Sequence, residues 1–318
     1  TVSSVDNTGT VATGTGSTLA TTATQKHSGT VIAGNNVTLS AGGEIAATNA
    51  ANDFQGNVSL AGSAVGVRDA NDLTIVSLTS GSNQAVKLTA GAKLTLPASA
   101  INTGTAAMSL ESQGGTLATA GALTGGNLFL LGRDGITLGH NLSAGGSLGL
   151  AATSANIDQT AGVINVAGAT TADAGAGRVH LNLKDASGNA VNDFSGRVSA
   201  RGTSASSVVI LDTNTLELGN VTGGPLTFAA SSITGSGTWT AVTALNLSTT
   251  TGTIPANAFV LNGSPNLTIT VLAPAGSQLQ FASGSTLNNA SVVVPTGSRI
   301  GVSAGGVALP VTENYSLP

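Results

Sequence analysis

Cysteine is absent from the 318 residues. That excludes a disulfide framework, a Cys-ligated zinc and a thiol nucleophile. Charge is scarce too, at 8% of residues. Average soluble domains carry roughly 25%. Ten Lys and Arg scattered along the chain cannot form the basic footprint of a nucleic-acid binder. Aromatics are 3%. No stretch approaches the roughly 18 consecutive apolar residues of a membrane helix, so no membrane insertion is expected. Sustained apolar recurrence at i, i+3 and i+4 is missing, which argues against helices. The calcium-binding Gly-Gly-x-Gly-x-Asp repeat is missing as well, and no cofactor is expected. The first residue is Thr1, with no initiator Met or signal peptide. It reads as a mature or excised segment of something larger.

What is present is small and apolar. Gly accounts for 44 residues and hydrophobics for 41%. The mean hydropathy is +0.30 and the pI about 5.2. Disorder combines low hydrophobicity with high charge, so this chain folds. Short strands recur as apolar–x–apolar units set between Asn, Asp, Gly and Ser. Val37-Thr38-Leu39, Val58-Ser59-Leu60, Leu128-Phe129-Leu130, Leu148-Gly149-Leu150 and Leu245-Asn246-Leu247 are examples. The offset from Val37 to Val58 is 21, and that from Leu128 to Leu148 is 20. Val179 to Val198 and Leu226 to Leu245 are each offset by 19. A fixed period near 20 marks a repeat architecture.

A longer copy supports the period. Asn52-Asp53-Phe54-Gln55-Gly56-Asn57-Val58-Ser59 recurs as Asn192-Asp193-Phe194-Ser195-Gly196-Arg197-Val198-Ser199, at an offset of 140. Downstream, Asp69-Ala70-Asn71-Asp72-Leu73 is answered by Asp212-Thr213-Asn214-Thr215-Leu216 at an offset of 143. The added residues belong in a turn, where a solenoid tolerates insertion. The spacing predicts an all-β fold: a right-handed parallel β-helix with roughly 20 residues per coil. One repeat makes one coil, and inward apolar residues stack into columns. About 16 coils at about 4.8 Å each would make a rod of roughly 75 Å. The expected organisation is an irregular N-terminal coil or cap over 1–28, the shaft over 29–294, and a C-terminal cap or exit over 295–318. The last segment holds three of the eight prolines and the only Tyr, Tyr315, and proline does not donate to a central ladder.

The Asn-Asp-Phe-x-Gly-x-Val-Ser element, followed by Asp-x-Asn-x-Leu, resembles repeats of filamentous-haemagglutinin-like exoproteins. The motif covers 52–75 and 192–218; composition and period extend the likeness over most of the chain. The resemblance implies a β-helical shaft of a secreted or cell-surface protein of a Gram-negative bacterium, exported by two-partner secretion. It also implies a role in adhesion or biofilm. Partners would be an outer-membrane secretion partner for the full-length chain and a surface glycan or protein. The Asn-rich secretion-domain signatures of such proteins are missing, so the segment reads as shaft. Arg-Gly-Asp is missing too, since Gly132-Arg133-Asp134-Gly135 has the wrong order.

Several residue sets are candidates for chemistry. Asn52, Asp53, Phe54, Gly56, Asn192, Asp193, Phe194 and Gly196 read as structural parts of the repeat. Asp53 and Asp193 are expected to bond backbone N–H groups in the turn before Phe. The two phenylalanines are expected inside the coil. Asp173, Asp193 and Asp212, spaced 20 and 19, would form an acid ladder beside Arg178 and Arg197, which are 19 apart. Such a ladder would be a surface feature, or else a cation or sugar site. His27, His140 and His180 lie far apart and read as surface residues. Trp239 reads as core, a subunit contact or a glycan platform. Asn-x-Ser/Thr at Asn36, Asn57, Asn220 and Asn266 matches a glycosylation acceptor, but Asn ending a turn explains it better. The outward residues between the apolar ones are too varied for a regular ice-binding face.

Together these observations lead to a non-catalytic structural or adhesive shaft. One alternative is a subunit that associates with copies of itself end to end into a filament, through unpaired strands at its ends. A second is a β-helical polysaccharide lyase or hydrolase.

Overall fold

The structure is a computed structural model. It describes residues 2–250 throughout, then the strands Thr253–Ile254, Val260–Gly263, Thr268–Leu272, Gln278–Phe281, Ser291–Val293 and Arg299–Val302. The chain is all-β, with no helix among the described residues, and forms a parallel β-solenoid of about 12 turns with roughly 20 residues per turn. Two compact units divide it: 1–152 with 160–162, and 153–159 with 163–318.

In the first unit a winding carries three short strands. One winding holds Leu128–Gly132, Ile136–Leu138 and Leu142–Ala144. Alternation sets their faces: Leu128, Leu130, Ile136, Leu138, Leu142 and Ala144 are buried, while Phe129, Thr137 and Ser143 face outward. Leu128 pairs in parallel with Leu148, as their spacing predicts. Val37 likewise pairs with Val58. An inner column runs Val5, Gln25, Ile45, Val65, Val86, Met108, Leu128, Leu148. Each buried Leu contributes about 1.5–3 kcal/mol, so the columns hold the windings together.

The windings are not uniform. Val86 lies over Met108, an offset of 22. Such longer windings are one reason why there are about 12 turns rather than the expected 16 or so. Tight approach between windings explains much of the glycine. A Cβ on Gly91 would stand 2.0 Å from the carbonyl oxygen of Ala70, one winding away.

Residues 2–27, expected to be irregular, already have this order. Val5–Asn7, Val11–Thr13 and Thr18–Thr21 pair in register with strands one winding on. Their inward positions Val5 and Val11 are only half-buried, which is why the pattern is blurred in sequence.

In the second unit, Thr215–Ala230 and Thr238–Thr249 run through corners as bent strands. Their register shifts between Gly223 and Pro225. Leu226 lies over Leu245, as their spacing predicts. Trp239 is fully buried, its ring edge-on to Phe228 at 5.5 Å and 65°. It is therefore core, not a surface platform. Val179 pairs with Val208 rather than Val198. The offset across that winding rises to 29 because residues 184–190 form an extra loop, closed by an antiparallel bridge between Lys184 and Ala190. Within the expected C-terminal cap, Arg299–Val302 pairs in parallel with Gln278–Phe281. Tyr315 and the remainder of 295–318 lie outside the described residues, as do Asn266 and Leu267.

Candidate functional site

The copied motif builds the same corner twice. Asn52 is fully buried. Its Oδ1 accepts the Val31 N–H at 2.8 Å, and its Nδ2 donates to the carbonyls of Ala47 (2.9 Å) and Arg68 (3.1 Å). One side chain thus ties three successive windings. Asn192, also fully buried, accepts the Ile164 N–H at 3.0 Å and makes a reciprocal amide pair with Gln159 at 2.8 Å in both directions. Buried amides are tolerated only when so satisfied. Phe54 and Phe194 lie inside the coil as expected. Gly56 has a φ of +112°, and a Cβ there would meet Asn35 Oδ1. Gly196 instead packs closely on the backbone of Gly168.

The acid that caps this corner is not the expected one. Asp53 accepts from the Gln55 amide at 3.0 Å, and Asp193 from the Ser195 hydroxyl at 3.2 Å. The N–H groups of Phe54 and Phe194 go instead to Asp69 (2.7 Å) and Asp212 (3.2 Å), further along the chain. The second oxygen of each accepts the N–H of Asn71 (2.7 Å) or Asn214 (2.8 Å). Burial raises the pKa of both carboxyls, and the backbone N–H bonds only partly offset it. The signal lies in the second half of the motif, Asp-x-Asn. The Asx geometry there uses one oxygen locally and leaves the other for the preceding corner.

The acid ladder does not form. Asp173 faces outward and pairs with Arg201, its register partner, at 2.9 Å. Asp193 lies on Asp193–Phe194, in register with Asn165. Asp212 is buried. Arg178 and Arg197 do not stack on each other either. Arg178 pairs with Asp158 at 2.9 Å and Arg197 with Glu217 at 3.1 Å. The inserted loop raises the register offset to 28 from Thr170 to Val198 and to 29 from Val179 to Val208. A spacing of 19 or 20 that spans this loop, as from Asp173 to Asp193 or from Arg178 to Arg197, therefore does not place residues above one another.

Two of the three histidines, all expected at the surface, differ from that expectation, while His140 meets it. His27 is buried, 1% exposed, and stacks on Asn7. Burial lowers its pKa. His180 is half-buried, its Nε2 2.6 Å from Ser207 Oγ and its Nδ1 3.7 Å from Asp158. Burial lowers its pKa, helped by Arg178 and opposed by Asp158. His140 is exposed at the surface, with Nδ1 3.0 Å from the Thr119 carbonyl. Among the described residues no three His, Asp or Glu are grouped to hold a metal.

Corner asparagines work between windings. Asn83, Asn127 and Asn220 accept the N–H groups of Thr105, Ser147 and Thr238 at 2.8–2.9 Å, each a winding later. Asn57 donates to Asn36 at 3.1 Å. A family described as repeats of unknown function (DUF5649) matches residues 125–201, less than a third of the chain, which include the second copy of the corner. No curated protein and no solved structure matches the chain.

Proposed function

We propose that this chain is a non-catalytic shaft segment of a secreted or cell-surface bacterial exoprotein of the filamentous-haemagglutinin type, serving adhesion or matrix. The observation that carries the reading is how the polar side chains are used. Asn52, Asn192, Asp69 and Asp212 tie windings from within, and Asn83, Asn127 and Asn220 tie them at corners. Four surface ion pairs, Lys87–Glu111, Arg178–Asp158, Arg197–Glu217 and Arg201–Asp173, each join residues one winding apart. Exposed pairs contribute little singly, up to about 1 kcal/mol. They do place the charge along the stacking direction. A module built this way extends by adding windings, without metal or disulfide.

Two measurements test the reading. An antibody to the purified chain should label intact cells of the source bacterium or its culture medium. Labelling only after permeabilisation would overturn the location. A panel of neutral and acidic polysaccharides, with and without calcium, should show no turnover. Turnover lost in Asp193→Ala would establish the enzyme reading instead.

A further inference from the structure

The loop at 184–190 is the one long insertion in the windings around it, and it is held in shape. Asp185 accepts the N–H groups of Ser187 (2.9 Å) and Asn189 (2.8 Å) and the Asn189 amide (3.2 Å). These bonds keep its carboxylate below the usual range, so it stays ionised and engaged within the loop. Insertions fixed on a regular solenoid are where binding faces arise. Beside this loop lies a groove of about 420 Å³, within the size range of small-molecule sites. Leu211, Ala229 and Ala230 give it apolar surface; Lys184, Thr213 and Thr250 are among its polar lining.

The hydrogen-bonding capacity of the lining selects a ligand class. Thr213 donates its hydroxyl proton to the Asn192 carbonyl at 3.0 Å, which leaves its oxygen to accept. The Asn189 N–H and one proton of its NH₂ are engaged by Asp185, which leaves its amide oxygen to accept and one N–H to donate. Lys184 can only donate, and among the described residues it forms no ion pair. A ligand must therefore both donate and accept, and also lay carbon against alanine. A polyhydroxylated ring does all three. An acceptor-only anion such as sulfate does not. Both oxygens of Asp212 are bound by backbone N–H groups, so this carboxylate is engaged in holding the wall.

We propose that the groove beside the Lys184–Ala190 loop binds a neutral saccharide of one or two rings without cleaving it. This deepens the adhesion part of the proposed function and rests on it; cell-surface labelling tests the shaft, and glycan binding tests the groove, so either can fail alone. The test is a glycan array probed with the purified chain, followed by titration of the strongest neutral binder by amide NMR. Shifts are expected at Ala190, Thr213 and Ser248. Ala229→Leu, which fills the groove from its half-exposed wall, should weaken binding at least tenfold with an unchanged melting temperature. Thr250→Leu, at the exposed rim, gives the same readout should the first variant fold poorly. No neutral glycan bound on the array, or binding unchanged in the folded variant, overturns the site. Inorganic sulfate shifting the same amides as strongly overturns the polyol assignment.

Discussion

The carboxylate of Asp69 accepts the backbone N–H of Phe54 at 2.7 Å, across 15 residues of chain. Asp212 repeats the bond to Phe194 at 3.2 Å. Removing Asp69 leaves the buried N–H of Phe54 unsatisfied and frees that of the exposed Asn71. Asp69→Ala should cost about 1–3 kcal/mol in denaturant unfolding. Asp53→Ala should stay within about 0.5 kcal/mol, since its carboxylate faces outward and holds no buried N–H. Equal losses would mean that the motif's first acid holds the corner after all.

The same acid has a definite pH signature. Its folded pKa is raised above the ordinary value of 3.8 by burial. A group raised on folding contributes fully below its unfolded pKa and loses that contribution as pH rises through the folded value. The stability of the wild type relative to Asp69→Ala should therefore grow as pH falls towards 3.8 and level off below it. Paired urea melts across that window check the sign.

His27 acts in the opposite direction. Burial lowers its pKa below 6.5, so the unfolded chain binds the proton first. Its contribution is complete above pH 6.5 and is lost as pH falls through the folded value. The residues around it are Asn7, stacked on it, and Gln25 on the same strand, with Asp6 and Lys26 outward on those strands. Amide exchange at Gln25–His27 should speed up at pH 5 relative to pH 7.5, after correction for intrinsic rates. His27→Leu should flatten that difference. An unchanged difference would place the sensitivity elsewhere.

Much of this is readable in the residues, and each failure has its own physical cause. Leu128 over Leu148 and Leu226 over Leu245 follow from spacing alone, because no insertion separates them. The step from Asp173 to Asp193 carries the same arithmetic across the Lys184–Ala190 insertion, where the offset per winding jumps to 29; the step from Asp193 to Asp212 fails because Asp212 turns inward to the Phe194 N–H. His27 reads as surface because Gln25-Lys26-His27 has no apolar residue to mark its inward face. Only its pairing with Val5–Asn7 reveals that face. Asp69 and Asp212 are visible as part of the copied motif, but the reach of each acid back to the Phe N–H of the preceding corner has no local sequence mark.

Close approach between windings gives a further test. Gly91→Ala would drive a Cβ to 2.0 Å from the Ala70 carbonyl, whereas a Cβ on Gly14 meets nothing within 4 Å. Gly91→Ala should destabilise by about 1–3 kcal/mol, as overpacking against backbone does. Gly14→Ala should be neutral or stabilise by up to about 1 kcal/mol, since it restricts the unfolded chain. Thermal melts of the two variants suffice.

Deletion of one whole winding separates a solenoid from every fold with fixed long-range partners. Removing residues 128–147 joins Asn127 to Leu148, and both Leu128 and Leu148 follow a corner and begin a strand. Met108, which pairs with Leu128, would then lie against Leu148, and Leu110 against Leu150. The inner columns stay continuous, so the shortened chain should remain folded with an unchanged strand signature per residue by circular dichroism. Removing only 128–137 shifts the register by half a winding. Inward leucines would then face corners and outward residues would face the core, a mismatch that β pairing does not tolerate. That chain should aggregate or unfold. Survival of the half-winding deletion, or loss of the whole-winding one, would contradict the stacking of Leu128 on Leu148.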